Sequence, residues 1–213
     1  NHCPTSTATG TPWISISQTE AIATCAALGN GAHLITNVEW TLLARSAESV
    51  SSNWNGTVMY RGHSDNVPAS TLTSDGSDPY YGTGQASPSE QRRTLTLTNG
   101  QIIWDLAGNV FEWNNNTCVV GSGTGNWYNS GAWIEWSNAN LSDYEKNIAG
   151  PIGNYTSVNG IGMYYGCTAN GNVFPRGGYW DGGSGDLFGG VFSMSLNVPS
   201  TTGYSFIGFR CVK

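Results

Sequence analysis

Two short helices can be read in the first fifty residues, and after about Ser51 no helical period returns. In "SQTEAIATCAALG", Ser17 can cap a helix while Glu20 reaches back to the amide of the cap, the reciprocal arrangement that satisfies orphan donors at a helix start. Ala21, Cys25 and Leu28 share one face, and Gly29 ends the run. "TNVEWTLLARSAESV" repeats the device with Thr36 and Glu39. Its Trp40, Leu43, Ala44 and Ala47 fall at the i, i+3, i+4, i+7 spacing of a buried stripe. Between the two, "AHLIT" reads as a connector or a short strand.

A chain that spends its helices so early must build the rest from short strands and long ordered loops. "TVMYRG", "LTLTNGQIIWDL" and "VFEW" are apolar pieces separated by turn signals. Residues 114–172 read as one continuous insertion-like region. The 9 tryptophans can pin such loops, because a large ring buries much apolar area for each residue ordered. The expectation is a single α+β domain over residues 1–213.

Only 10% of residues are charged, so the surface is built from Asn, Ser, Thr and Gly, which suits an extracellular or virion-surface protein. A net charge of -6 with 8 Lys and Arg leaves no basic stripe to track a phosphate backbone, which argues against nucleic acid as a partner. No apolar run approaches the roughly 18 residues of a membrane span, so no membrane insertion is expected. The first residue is Asn1 rather than Met, which suggests a processed or trimmed chain. Cys3, Cys25, Cys118, Cys167 and Cys211 show no CxxC spacing, which argues against zinc. They either form disulfides or act as small buried hydrophobes.

Three segments, in order, resemble the formylglycine-generating, sulfatase-modifying family: "HLITNVEWTLLAR", "WDLAGNVFEW" and "FPRGGYW" with "IGFRCV". The resemblance runs from about Trp13 to Val212 and implies a C-type-lectin-type fold of two helices, a small twisted antiparallel sheet and a large loop-built face. It also implies that Cys25 pairs with Cys211, where the first helix and the last strand meet; Cys118 with Cys167 is then the second pairing expected, leaving Cys3 free. Related enzymes hold a structural calcium ion near the second segment. Here Asp105, Asn109 and Glu112 are the local oxygen donors, few against the 6 to 8 oxygens that Ca²⁺ takes. Gly108-Asn109 reads as a turn needing positive φ. Arg176-Gly177-Gly178 reads as close backbone packing around a buried arginine that serves as a hydrogen-bond hub.

The family's enzymatic chemistry does not carry over. Formylglycine formation needs two cysteines shortly after the Arg-Gly-Gly segment, and residues 179–197 contain none. His2, His33 and His63 are isolated surface or turn residues by their context. Asp75/Asp78, Asp181/Asp186 and Glu135/Glu145 are carboxylate pairs without the demonstrated cleft a glycosidase needs. "GSGTGN" lacks the lysine and the strand-to-helix setting of a phosphate loop and reads as a flexible loop. No cofactor is expected.

One branch of the family keeps the scaffold without the chemistry: the variable proteins of diversity-generating retroelements, among them phage tail-tip receptor binders and surface-displayed ligand binders. Residues 176–212, "RGGYWDGGSGDLFGGVFSMSLNVPSTTGYSFIGFRCV", resemble the variable segment of that branch. Variation there falls largely on asparagine codons, whose products include Tyr, Asp, Gly, Ser, Thr and Phe. By that resemblance Tyr179, Asp181, Gly182, Ser184, Asp186, Phe188, Ser193, Ser195, Thr202, Gly203, Tyr204 and Phe206 are ligand-binding positions. Trp180, Leu196, Pro199, Ile207, Gly208, Phe209 and Arg210 form the frame. The implied partner is a protein or glycan receptor on a target cell surface, the implied place a virion tail tip or cell surface, and a homotrimer is an assembly the branch uses. Displayed aromatics would tolerate alanine within about 0.5 kcal/mol, whereas Trp180 or Phe209 would cost about 3 to 5 kcal/mol. The other reading is an enzyme of the sulfatase-modifying superfamily with an altered site.

Overall fold

The computed structural model describes residues 11–64, 92–181 and 188–213. Both early helices form where the capping residues place them: α1 is Gln18–Ala26 and α2 is Asn37–Glu48. Ser17 and Thr36 cap them, each donating its backbone amide to the Glu three residues on at 2.9 Å and accepting that residue's amide in return. Ala21 and Cys25 of α1 are fully buried, as are Trp40, Ala44 and Ala47 of α2, while Leu43 is half-buried and Leu28, beyond the end of α1, is exposed. Trp40 crosses the core and donates its indole N–H to the Val191 carbonyl at 2.8 Å.

The strands are short. β1 (His33–Leu34), β2 (Trp54–Asn55), β3 (Val58–Met59), β4 (Thr94–Thr96) and β5 (Ile102–Trp104) precede β6 (Phe111–Thr117), the longest at 7 residues. β7 (Trp133–Ile134), the helix α3 (Asp143–Ala149), β8 (Tyr164–Tyr165), β9 (Val173–Arg176), β10 (Met194–Ser195), β11 (Ile207–Phe209) and β12 (Cys211–Val212) follow. Six strands make the main sheet, in the order β11-β6-β9-β10-β8-β7; three two-stranded ladders, β1-β12, β2-β3 and β4-β5, surround it. The chain is thus α+β, with three α-helices among the described residues.

The resemblance led us to expect an antiparallel sheet, but the sheet is mixed. β11 runs parallel to β6 and β10 parallel to β8, while the other neighbours are antiparallel. Parallel neighbours need long return connections, and the segments from β6 to β11 and from β8 to β10 supply them. Residues 114–172 are not appended to a finished core either. They contribute β7, β8 and α3, and Trp127, Trp136 and Tyr164 from this region lie in the larger hydrophobic cluster with Trp40, Phe174 and Met194.

Side chains alternate across β6. Phe111 and Trp113 join Ile16, Ala21, Cys25, Val173 and Ile207 in a second cluster on the α1 side. Disulfides Cys25–Cys211 and Cys118–Cys167 are both formed, with Cα separations of 5.3 and 6.1 Å. Cys3 lies outside the described residues.

Candidate functional site

The site begins where β9 ends. Gly177 and Gly178 both have positive φ, +91° and +79°. A Cβ on Gly177 would sit 2.8 Å from the Leu106 carbonyl oxygen, and one on Gly178 2.8 Å from the Gly189 Cα, so only glycine fits. Arg176 is fully buried beneath them. Its Nη2 donates to the Ala149 carbonyl at the end of α3, its Nη1 to Met194 Sδ, and its guanidinium lies 6.0 Å from the Trp40 ring. This is the expected hub, and burial, followed by the nearby Arg45 charge, lowers its pKa to about 9.

The Gly-Gly pivot delivers Tyr179 to the α1 side of the sheet, with the Trp180 ring edge-on to it at 6.2 Å. The Trp180 amide donates to the Asn109 carbonyl at 3.0 Å. Asn109 belongs to the expected positive-φ turn, with Gly108 at +71° and Asn109 at +66°. The turn packs on residues 61–63, and the Asn109 amide donates to the His63 carbonyl at 2.6 Å. His63 is therefore buried, not a surface residue, because this turn covers its backbone.

From there a row of rings runs across the sheet. Tyr179 stacks on Phe111 at 5.3 Å and meets Phe206 at 5.0 Å; Phe206 meets Tyr204 at 5.3 Å, and Tyr204 reaches Trp113 at 6.3 Å. Farther along, Phe188 lies 5.0 Å from Trp133, which in turn meets Tyr165 at 5.5 Å. Sequence reasoning missed Phe111, Trp113, Trp133 and Tyr165 as the floor of this row. Only the alternation in "VFEW" carries a signal of it.

The expected binding positions divide into three groups. Tyr179, Phe188, Tyr204 and Phe206 contribute to the rows of rings and are half-buried, Asp181 is half-buried, and Thr202 is exposed. Ser193, Ser195 and Gly203 do not behave as replaceable display positions. Ser193 is fully buried behind Gly162, whose Cβ would lie 2.7 Å from the Ser193 amide nitrogen, and Ser195 is buried with its hydroxyl turned to Asn197 Oδ1 at 2.6 Å. Gly203 is exposed, but an added Cβ would stand 2.6 Å from the Ser15 carbonyl oxygen, because the N-terminal segment runs against it. Gly182, Ser184 and Asp186 lie outside the described residues.

The frame also differs from expectation in part. Leu196, Ile207 and Gly208 are buried, but Pro199 is exposed and Trp180 and Phe209 are half-buried, Phe209 meeting the Trp13 ring at 5.5 Å. The rings thought to be displayed and those thought to be core are buried to a similar degree. A near-zero cost for the first set and about 3 to 5 kcal/mol for the second no longer follow.

The remaining polar groups are engaged in the fold. Glu112 pairs with Arg210 at 2.6 Å, and Asp105 pairs with Arg93. Both carboxylates that could have met a calcium ion are thus held by guanidinium groups, and this donor set does not fit one. Among the described residues, no group of three or more His, Cys, Asp or Glu could hold a metal ion. Glu145 is buried and accepts the amides of Tyr128 and Ser142, and Glu135 accepts the Ser157 amide at 2.8 Å. Each member of that pair is committed to local backbone. The Gly121–Asn126 loop closes on itself, with the Gly121 amide donating to the Trp127 carbonyl and the Asn126 amide to the Gly123 carbonyl, both at 3.0 Å. At the face itself, burial and then Asp181 push the Tyr179 phenol up, which keeps it neutral and a hydrogen-bond donor.

No protein-family model matches the chain, and a search of curated proteins finds no significant match.

Proposed function

We propose that this chain is a non-enzymatic ligand- or receptor-binding protein of the retroelement-diversified kind, with a C-type-lectin-type fold of the formylglycine-generating subtype, displayed on a virion tail tip or a cell surface. One observation carries the reading: within residues 176–212 a row of half-buried rings alternates with fully buried positions. Gly177, Gly178, Leu196 and Ile207 are buried, while among the interleaved positions Tyr179, Tyr204 and Phe206 are half-buried and linked ring to ring, and Thr202 is exposed. Rings supply contact area at low entropic cost, and Asp and Thr beside them supply adaptable polar contacts, as in antibody loops. The pairing of β1 with β12 and the Cys25–Cys211 bridge support the lectin-type arrangement, since both tie the ends of the domain together. Committed carboxylates and the absence of cysteine from 179–197 weigh against the altered-enzyme reading.

Single-site saturation of a displayed copy of the chain tests this. Most substitutions at Tyr179, Asp181, Phe188, Thr202, Tyr204 and Phe206 are expected to keep protease resistance and to yield clones that bind protein or glycan targets. Substitutions at Gly177, Gly178, Leu196 and Ile207 are expected to abolish folding. If both sets lose folding alike, the display reading is wrong. In the genome, a near-copy of the segment encoding residues 176–212, beside a reverse transcriptase gene and differing mainly at adenines, is the matching expectation.

A further inference from the structure

The charges of this chain segment are one-sided. No Lys or Arg occurs in residues 177–209, which carry Asp181 and Asp186 as their only charged side chains. Most of the chain packed beneath is also free of Lys and Arg: none occurs in residues 11–44, which include α1 and β1, or in 104–144, which include β6 and β7, or in 150–175, which include β8, while β9 ends in the buried Arg176. Four of the basic residues are held within the fold. Arg45 holds the Lys146 and Gly150 carbonyls at the end of α3, Arg93 pairs with Asp105, Arg176 is buried, and Arg210 pairs with Glu112. Arg92 lies over the Tyr60 ring, and Lys146 is on α3. Arg61 comes nearest by chain, since its carbonyl lies against Gly108, and Lys213 ends the chain beyond β12. His33, on β1, is bonded to Glu39.

Half-buried rings near a carboxylate that has no ion pair among the described residues are the two components that attract a cation. A guanidinium or ammonium within about 6 Å of a ring centroid gains from the ring quadrupole, and arginine does so best because its planar group also stacks. Tyr179, Phe206 and Tyr204 form a continuous row at 5.0 and 5.3 Å. Asp181 is half-buried two residues after Tyr179, whose phenol is pushed up by burial first and by the Asp181 charge second. Resting on the binding-face reading above, we infer that this chain's face takes a positively charged protein segment, with Arg or Lys side chains stacked on Tyr179, Tyr204 and Phe206 and Asp181 as their counter-charge. Neutral glycans also stack on aromatic rings, but they would leave the carboxylate without a counter-charge, and acidic glycans would meet a protein of net charge -6.

The experiment uses the full chain with three heptapeptide probes, acetyl-Gly-Arg-Gly-Arg-Gly-Arg-Gly-amide and its Glu and Gln counterparts, together with an array of neutral glycans. The Arg peptide is expected to bind most tightly, and to weaken as salt rises from about 50 to 300 mM because the attraction is screened. Asp181→Asn is expected to weaken it about threefold to fivefold, and Tyr179→Ala about fivefold. Asp143→Asn, which removes one exposed acid from α3, is expected to leave it unchanged; melting curves confirm that each variant is folded. Equal loss in Asp143→Asn and Asp181→Asn would overturn the inference by reducing it to overall charge. Failure of the Arg peptide to bind would overturn it too. Glycan binding that exceeds peptide binding and falls in Tyr179→Ala would overturn the inference but leave the binding face standing. If no probe responds to changes at the face, both fall.

Discussion

His33 stands on β1 with Nδ1 3.0 Å from the Gly31 carbonyl and Nε2 2.9 Å from Glu39 Oε1. The Gly31 carbonyl first, and Glu39 second, raise its pKa above the ordinary value of 6.5. Its contribution to stability is therefore fully present below about pH 6.5 and is lost as pH rises through the folded pKa. The side chain is 38% exposed, so the ion pair adds little to stability and the titration itself is the readout. Glu39→Gln keeps a side chain that can close the capping box with Thr36 but removes the charge. An NMR titration should show the His33 midpoint above about 6.5 in the parent and lower in the variant; equal midpoints would mean that Glu39 contributes nothing. Two neighbours on the face offer a second contrast. Thr202 is exposed, so Thr202→Ala should stay within about 0.5 kcal/mol. Gly203→Ala puts a Cβ against the Ser15 carbonyl and should cost about 1 to 3 kcal/mol. Truncating the half-buried Tyr204 or Phe206 should cost about 1 to 3 kcal/mol. Thermal melts of the four variants rank these, and a Gly203→Ala protein as stable as the parent would restore that position to the replaceable set. The asparagine-codon pattern could nominate Gly203 but not reveal this clash, because the obstructing atom belongs to a residue 188 positions earlier in the chain.

At the scale of elements, α3 shows what local pattern conveys and what it does not. Ser142 and Glu145 repeat the spacing that revealed α1 and α2, and the Ser142 amide and hydroxyl both donate to Glu145 Oε2, at 2.7 and 2.9 Å. The helix has only 7 residues, and Tyr144 with Ile148 is too short a stripe to distinguish from a loop. The two-residue strands β7, β8 and β10 were less legible still. Their pairings, Trp133 with Tyr165 and Met194 with Tyr164, join segments far apart in sequence, and two residues carry no alternation. Glu145 also accepts the Tyr128 amide, so it joins α3 to the segment before β7. Glu145→Ala would strand the amides of Tyr128 and Ser142 in a buried site and should cost about 3 kcal/mol. Ser142→Ala should cost about 1 kcal/mol, the usual worth of a cap. Urea unfolding of the two variants checks the ratio; equal losses would mean that Glu145 acts only as a helix cap.

Across the whole molecule, cysteine spacing left pairing and free thiols equally open, and the family resemblance made only the Cys25–Cys211 bridge legible. The two disulfides differ in what they hold. Cys25–Cys211 spans 186 positions and joins α1 to β12, directly after the strand that carries Ile207 and Phe209, and both its cysteines belong to the cluster beneath the aromatic row. Cys118–Cys167 spans 49 positions and joins the end of β6 to the segment after β8, within the larger cluster. The chain-entropy model assigns about 5 kcal/mol to the first loop and about 4 kcal/mol to the second, so stability alone hardly separates them. Location does. Cys25→Ala with Cys211→Ala frees β12 from α1 and leaves the β1 ladder, His33 with Val212 and Leu34 with Cys211, and the Arg210–Glu112 pair to hold the chain end. Amide exchange in that double variant should speed up in residues 200–212 and α1 beyond what its global stability requires, and binding at the face should weaken with it. Cys118→Ala with Cys167→Ala should lower the melting midpoint while leaving exchange in 200–212 limited by global unfolding. Peptide mapping without reduction checks the two pairings first. An identical exchange pattern in both double variants would show that the Cys25–Cys211 bridge acts only on the unfolded chain and does not hold the binding face in place.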